Sequence, residues 1–396
     1  MADSRDRYTR LAMANRVFSP GSPIDTLELF SGRTEQLGEV LQAYQSRGQH
    51  AALYGERGVG KTSIASIVGE AIGRAPACVR PRSVRVACST DDVFQTLWET
   101  VFRKLGVAWE REVLRPEGVR ERLAEAGEPT LIVIDELDRL ADDPSLSLLA
   151  DTIKLLSDDP ADATLVLVGV ADSVDDLIGD HASIARALRQ VRIPRMSPRE
   201  LRAIVSRGMG ESSLSISEAH LERVASLSEG LPYYTHALGL YAATRAIEDD
   251  RDGVNDQDIQ AAILMAVSKS QQSILSAFNR ATRSQHRDAI FAPVLLACAL
   301  ARKDELGLFA AKDVELPLSM ITGAEKKVPG FARHLYQFSD EVRGRVLQKL
   351  GTERRHFYRF EDPMLQVFVV LDAISKGVLT EERVREIKLA VAGAAG

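Results

Sequence analysis

The sequence predicts an α/β fold: a parallel sheet covered by helices on both faces, then a helical region, then a small module of helices and strand. Three observations predict it. Apolar runs without polar alternation recur between segments of helical periodicity, the pattern of strands buried on both faces. A glycine-rich loop joins the first of these runs to a helix. After Pro194 the apolar runs stop, and helical spacing continues until the period-two stretch Arg355-His356-Phe357-Tyr358-Arg359-Phe360.

Taken in order, Pro20, Gly21 and Pro23 break regular structure, so residues 1–30 are expected as an extended arm over the next domain. Leu37, Val40, Leu41 and Tyr44 then follow the i, i+3, i+4, i+7 spacing of one buried helical face. Residues 50–54 form a short apolar strand and 62–72 a helix turning Ile64, Ile67, Val68, Ala71 and Ile72 inward. Strands over 83–87, 130–134 and 165–170 alternate with helices over 91–105 and 146–156, giving a core of residues 31–195. Ser197-Pro198-Arg199-Glu200 supplies an N-cap, a proline at the first helical position and a glutamate at the third, opening a helical lid domain over 196–267. From Gln271, two helices, a short helix near 313–319, a basic helix over roughly 328–350 and the strand at 355–360 make up residues 268–370. A last amphipathic helix, 381–391, lies in the final segment, 371–396.

With 396 residues, 45% apolar and 27% charged, the chain excludes disorder and has room for about two or three domains. No apolar run reaches the roughly 18 to 20 residues of a spanning helix, and Met1 to Arg10 is charged, so a cytoplasmic protein with no membrane partner is expected. Cys78, Cys88 and Cys298 are widely spaced, which suits a reducing compartment and gives no zinc framework.

Gly55-Glu56-Arg57-Gly58-Val59-Gly60-Lys61-Thr62 matches GxxxxGK[ST] at every fixed position, after a buried strand and before a helix, where a phosphate-binding loop must lie. Its glycines let backbone N–H groups turn inward around phosphate oxygens, and the helix N-terminus, with Ser63 in its first turn, adds positive potential. Lys61 is placed to reach the β and γ phosphates and Thr62 to hold Mg2+. Leu131-Ile132-Val133-Ile134-Asp135-Glu136 brings carboxylates to the C-terminal edge of a buried strand. Asp135 faces the metal, and Glu136, one residue on, orients and deprotonates the attacking water.

On these motifs the chain resembles P-loop ATPases of the AAA+ class. It is more closely similar to the signal-transduction ATPases with numerous domains (STAND) and to the origin-recognition-like ATPases, over about residues 30–266. The resemblance implies a P-loop NTPase core with a helical lid, ATP as the nucleotide, ATP hydrolysis and a homo-oligomer. Phe30-Ser31-Gly32-Arg33 followed by Leu37 resembles the F-x-G-R-x-x-x-L box of these families, which implies that Ile24 and Arg33 lie near adenine. Taken alone, Arg33 also fits a surface charge at a helix start. Ala171-Asp172-Ser173 falls where AAA+ proteins keep a polar sensor 1 residue; Asp172 or Ser173 fills that place, or Asp172 caps the next helix. His181-Ala182-Ser183-Ile184-Ala185-Arg186 resembles the segment ending in an arginine finger, with Arg186, or its rival Arg189, reaching a neighbouring subunit's nucleotide. A solvated basic helix fits that stretch as well. Gly230-Leu231-Pro232 resembles the G-x-P motif by which STAND lids sense nucleotide, and equally a helix-ending glycine with a stop proline. No Arg or Lys follows within ten residues, so the sensor 2 arginine of ordinary AAA+ lids is missing.

The C-terminal domain resembles a winged helix. From Lys326 to Arg359 the chain carries nine Lys/Arg against three Asp/Glu, +6 on a chain of net charge −6. The expected partner is double-stranded DNA, met by Lys326, Lys327, Arg333, Arg343, Arg345 and Lys349 on the basic helix, with Arg354, Arg355 and Arg359 on or beside the wing. Winged helices also dock proteins. A signalling ATPase acting on an effector protein, for instance in defence against phage, therefore stays open, as does a nucleotide-bound scaffold.

Overall fold

The computed structural model describes residues 2–75, 80–108, 113–140, 142–159, 161–179, 184, 186–285, 289–352 and 355–394. Cys78, His181, Ala182, Ser183, Ala185 and Arg354, named above, lie outside the described residues. The chain forms two compact units, residues 21–203 and residues 1–20 together with 204–396. No helix among the described residues is long and apolar enough to cross a membrane.

The first element corrects the expected extended arm: α1, Ala2–Val17, is a helix. The breakers Pro20, Gly21 and Pro23 act only on the segment that follows, and no proline or glycine interrupts residues 2–17.

The unit of residues 21–203 carries α2 (Thr34–Gln45), β1 (His50–Gly55), α3 (Lys61–Arg74), β2 (Arg82–Ala87), α4 (Phe94–Leu105), α5 (Pro116–Glu125), β3 (Thr130–Asp135), α6 (Asp143–Asp158), β4 (Ala163–Val170), α7 (Val174–Ile178) and β5 (Leu188–Arg192). Helix α5 is absent from the sequence-based expectation. Its signals are Pro116 at the first helical position and the pair Val119 and Leu123, both buried at i, i+4 spacing. The five strands are parallel in the order β2-β3-β4-β1-β5. Their interior residues, among them Leu53, Ile132, Ile134, Leu165 and Leu167, are fully buried, which is why the runs lack polar alternation. The register sets Gly55 opposite Val170 and Ala87 opposite Asp135, so the ends of β1, β3 and β4 meet along one edge. At the opposite edge His50 is buried, with Nδ1 accepting from the Leu165 amide at 3.0 Å; burial lowers its pKa to about 4 and keeps the ring neutral.

Helix α8, Pro198–Glu211, leads from one unit into the other. In the second unit it is followed by α9 (Glu218–Ser228), α10 (Pro232–Glu248), α11 (Asp256–Ser268), α12 (Gln272–Thr282), α13 (Phe291–Leu300), β6 (Phe309–Ala310), α14 (Glu315–Thr322), α15 (Ala332–Phe338), β7 (Leu347–Thr352), β8 (Arg355–Phe360), α16 (Pro363–Ser375) and α17 (Glu381–Gly393). Phe18, just past α1, is 1% exposed and fills a slot that only glycines leave open. A Cβ added at Gly208 would come within 2.2 Å of its ring and one at Gly239 within 2.5 Å. Arg10 of α1 donates to the carbonyls of Ser212, Ser213 and Arg251, and the Ser19 amide meets Nδ1 of His236 at 3.4 Å. Burial lowers the pKa of His236 to about 4, so its ring stays a neutral acceptor.

Helix α16 is buried on every side from Pro363 to Ile374, and the Tyr234 hydroxyl donates to the Met364 carbonyl at 2.8 Å. Helix α17 is clasped to α9 by Arg223, whose fork meets both oxygens of Glu381 at 2.7 and 2.6 Å, and by Lys388 on Glu229. Strands β6, β8 and β7 form a small antiparallel sheet, and helices followed by this hairpin fit a winged-helix domain.

The basic helix expected over 328–350 is not one helix. Pro329-Gly330 confine the first turn to residues 328–330, α15 ends at Phe338, the Asp340 side chain caps a separate turn at 341–343, and Gly344 (φ 81°) and Arg345 (φ 46°) turn the chain into β7. Lys349 therefore lies on a strand and only Arg333 on α15.

Candidate functional site

The loop 55–62 leaves the end of β1 and closes onto the first turn of α3. Gly55, Gly58 and Gly60 have φ of 149°, 84° and 99°. At Gly55 a Cβ would lie 2.4 Å from the Ile193 carbonyl oxygen, so glycine is required there for space as well as conformation. Lys61 is 7% exposed and its ammonium donates to the carbonyls of Gly55 and Glu56 at 2.8 and 2.7 Å. Burial lowers its pKa to about 8, against the raising pull of Asp138, Asp135 and Glu56. A buried ammonium whose hydrogen-bond acceptors among the described residues are its own loop's carbonyls fits a phosphate, which would supply a negative charge in direct contact.

Asp135, at the end of β3, is 2% exposed. One oxygen accepts from its neighbour's amide, Glu136 N, at 2.9 Å; the other accepts from the Arg85 guanidinium at 2.7 Å. The hydroxyl of Thr62 and a buried carboxylate are the hard oxygen donors that suit Mg2+. Glu136 sits in the left-handed region (φ 54°), which turns its side chain away from the strand's alternation. Its carboxylate is half exposed and paired with Arg139 at 2.8 Å.

Ties from residues 21–36 and 193–200 brace the loop. The Ile24 amide donates to Ser63 Oγ at 3.2 Å and the Leu27 amide to Glu70 at 3.0 Å, which lays that segment along α3. Arg33 is not a surface charge: 3% exposed, it donates to the Val59 carbonyl at 3.1 Å and to that of Pro194, while its own amide donates to Glu200 at 2.9 Å. Burial lowers its pKa, with Glu200 opposing. Glu56 pairs with Arg195 at 2.8 Å, while Arg57 projects at the exposed tip.

The structure brings Gly55, Glu56, Arg57, Gly58, Val59, Gly60, Lys61, Thr62, Ser63, Ile24, Arg33, Asp135 and Glu136 to one edge of the sheet. Asp172 follows Val170, the partner of Gly55, at the same edge. The helix cap, however, is Ser173, whose Oγ accepts from the Asp176 amide at 3.1 Å, so the cap expected at Asp172 belongs one residue later. Arg186 is not part of this cluster: exposed, it lies two residues before Leu188, which pairs with His50 at the start of β1, the end of the sheet opposite the loop. Pro232 opens α10 in the other unit, at the first helical position. Sequence reasoning missed Arg85 and Arg139. Arg139 stands three residues after Glu136, a spacing that allows pairing; Arg85 shows only as a charge inside an apolar strand.

In the C-terminal domain several of the basic residues are already engaged. Arg343 stacks on Phe291, 3.7 Å from the ring centre, and donates to the carbonyls of Ala281 and Arg283. Lys327 pairs with Glu325 and Glu315, Arg345 with Glu341, and Arg359 with Gln348. Arg333, Lys349 and Arg355 are exposed, Lys349 beside the Tyr336 ring and Arg355 beside Phe357.

Residues 44–178 match the family described as AAA domain. No curated protein matches the chain. Among solved structures, it is similar to the ORC2 protein of Aeropyrum pernix, solved as ADPNP–ADP complexes, at 14% identity and a TM-score of 0.55 over 96% of this chain and 98% of that one. It is similar also to the Walker-type ATPase of Pyrococcus abyssi, at 16% identity and a TM-score of 0.53 over 89% of this chain and 99% of that one. At these identities the likeness is one of fold.

Proposed function

We propose that this chain, with its AAA domain and the fold of origin-recognition-type AAA+ ATPases, binds and hydrolyses ATP with Mg2+ and couples the nucleotide to double-stranded DNA. The observation that carries the first part is the convergence of the loop 55–62, the buried Lys61 and the buried Asp135 on one sheet edge. Bound Mg2+ would neutralise phosphate charge during transfer. Thr62 and Asp135 would hold it, the loop amides and Lys61 would orient the phosphates, and Glu136 would take the proton of the attacking water once Arg139 lets its carboxylate go. Arg186, at the far edge, serves a neighbouring copy's nucleotide in a homo-oligomer. Asp172 monitors the γ-phosphate edge and Pro232 the lid. The segments 31–195, 196–267, 268–370 and 371–396 are ATPase core, lid, winged helix and C-terminal helix, preceded by helix α1 and the stretch that follows it.

DNA binding is supported by the exposed Arg333, Lys349 and Arg355, the last two beside aromatic rings, on an otherwise acidic chain. A second reading, a switch acting on an effector protein, is favoured by the engagement of Lys327, Arg343 and Arg345 within the domain. Steady-state ATP hydrolysis with and without duplex DNA, at about 50 and 200 mM salt, separates the two. Stimulation that fades at the higher salt is expected; turnover unmoved by DNA at either salt rules out the DNA reading and leaves the switch. Lys61→Ala should lose nucleotide binding, and Glu136→Gln should bind ATP but turn it over slowly. Wild-type affinity in the first or normal turnover in the second removes that residue from its role.

A further inference from the structure

Strand β2 is an edge strand whose Arg85 lies opposite Val133, on the face of the sheet that Asp135 shares. The guanidinium reaches two different elements. One terminal nitrogen donates to Asp135 Oδ2 at 2.7 Å and the other to Ser66 Oγ of α3 at 2.7 Å. Ser66 in turn donates to the Thr62 carbonyl at 2.8 Å. Arg85 Nε is buried and has no hydrogen-bond partner among the described residues, so the two terminal nitrogens of the fork make the bonds that hold the group. With the Glu136 amide on Oδ1, both oxygens of the buried Asp135 carboxylate are committed. The two residues read as metal holders, one by its side chain and one through its helical turn, are thus joined by one arginine.

We propose that Arg85 is a positioning residue for the metal: it fixes the Asp135 carboxylate and, by cancelling its charge, makes Mg2+ binding depend on the nucleotide. This rests on reading the loop 55–62 as a nucleotide site. A carboxylate already paired with a guanidinium offers a divalent cation little net charge, and the cation must also approach a fixed positive group a few ångströms away. Phosphates supply the negative charge that Arg85 has taken out of the site. Without them the metal would be held weakly; with them it would meet an Asp135 carboxylate kept in the orientation that the Arg85–Ser66 bridge imposes.

The test uses the full chain, Mn2+ as the probe read by its free-ion resonance signal, and two variants, Arg85→Gln and Arg85→Lys. Arg85→Gln removes the charge and should bind Mn2+ without nucleotide about tenfold more tightly than the wild type; with ADP present, the tightening should be smaller. Arg85→Lys keeps the charge but cannot span Asp135 and Ser66. Its Mn2+ affinity should stay within about twofold of the wild type while ATP turnover falls several-fold. A folded Arg85→Gln protein with unchanged Mn2+ affinity overturns the proposal and leaves the nucleotide site standing. If Arg85→Gln does not fold, a tenfold change in Mn2+ affinity in Arg85→Lys overturns it instead. A wild-type protein that binds neither ATP nor ADP overturns both readings together.

Discussion

Lys61 ties the chemistry of the loop to pH. Its pKa is lowered to about 8 because burial penalises the ammonium, and phosphate recognition needs that ammonium. Nucleotide affinity should therefore fall as pH rises through about 8, by roughly tenfold per unit at most, rather than near the 10.5 of a free lysine. The sign for stability is opposite: a base whose folded pKa is depressed makes the fold more stable as pH rises from about 8 toward 10.5, so lost affinity in that window is not unfolding. Fluorescent-nucleotide titrations from pH 6.5 to 9.5 check this, and a flat profile contradicts it. Arg139 gives a second prediction, because its guanidinium sits 2.8 Å from the Glu136 carboxylate. Arg139→Ala should raise basal ATP turnover by about two- to tenfold with nucleotide affinity unchanged, and a lower kcat would show that Arg139 assists instead. At this scale the meeting of the loop 55–62 with Asp135-Glu136 at one sheet edge was legible because the glycine-rich spacing ends one buried strand and the acidic pair ends another. Arg33 was legible as a motif but not as a brace, since its burial depends on Pro194, more than a hundred residues away in sequence.

Among the elements, α1 and the slot between Gly208 and Gly239 make the sharpest case. Phe18→Ala should cost about 3–5 kcal/mol by opening a cavity. Gly239→Ala should cost about 1–3 kcal/mol by driving a methyl into the ring. Because both act on one contact, the double variant should be less destabilised than the sum of the two, as thermal melts of all four proteins would show. Additive costs would mean that the ring and Gly239 do not meet in solution. The helix at α1 was not legible, because the prolines at 20 and 23 were read backward into residues they do not constrain. The basic helix failed for the opposite reason: charge was followed as if it were periodicity, across Pro329-Gly330 and Gly344, which end regular structure whatever the charge. The strand at 355–360 was legible because alternation of period two survives even in a short strand, here the central one of a three-stranded sheet.

At the scale of the molecule, the parallel sheet was readable from its apolar runs, and the strand order was not, since order depends on pairings that no local pattern encodes. Nor could sequence show that residues 1–20 belong to the unit of residues 204–396. Deleting residues 1–18 removes Arg10 and Phe18 and should raise hydrogen exchange in α10 while the amides of β1, β3 and β4 keep their protection. Equal loss in both units would show that the first helix supports the sheet as well.

The bond from Arg10 to the Ser212 carbonyl spans 202 positions of the chain, and that interval bears on synthesis. Residues 2–17 leave the ribosome long before the slot that receives Phe18 has been made. The whole of residues 21–203 emerges in between and is free to fold first, as a complete insertion within the other unit. For roughly ten to forty seconds of translation the first helix is an unpartnered segment, since about 220 residues at about 5–20 per second must pass between Phe18 and Gly239 of α10. Until then Phe18 is exposed to chaperones, and the second unit can only be closed by its own earliest residues arriving last at their place.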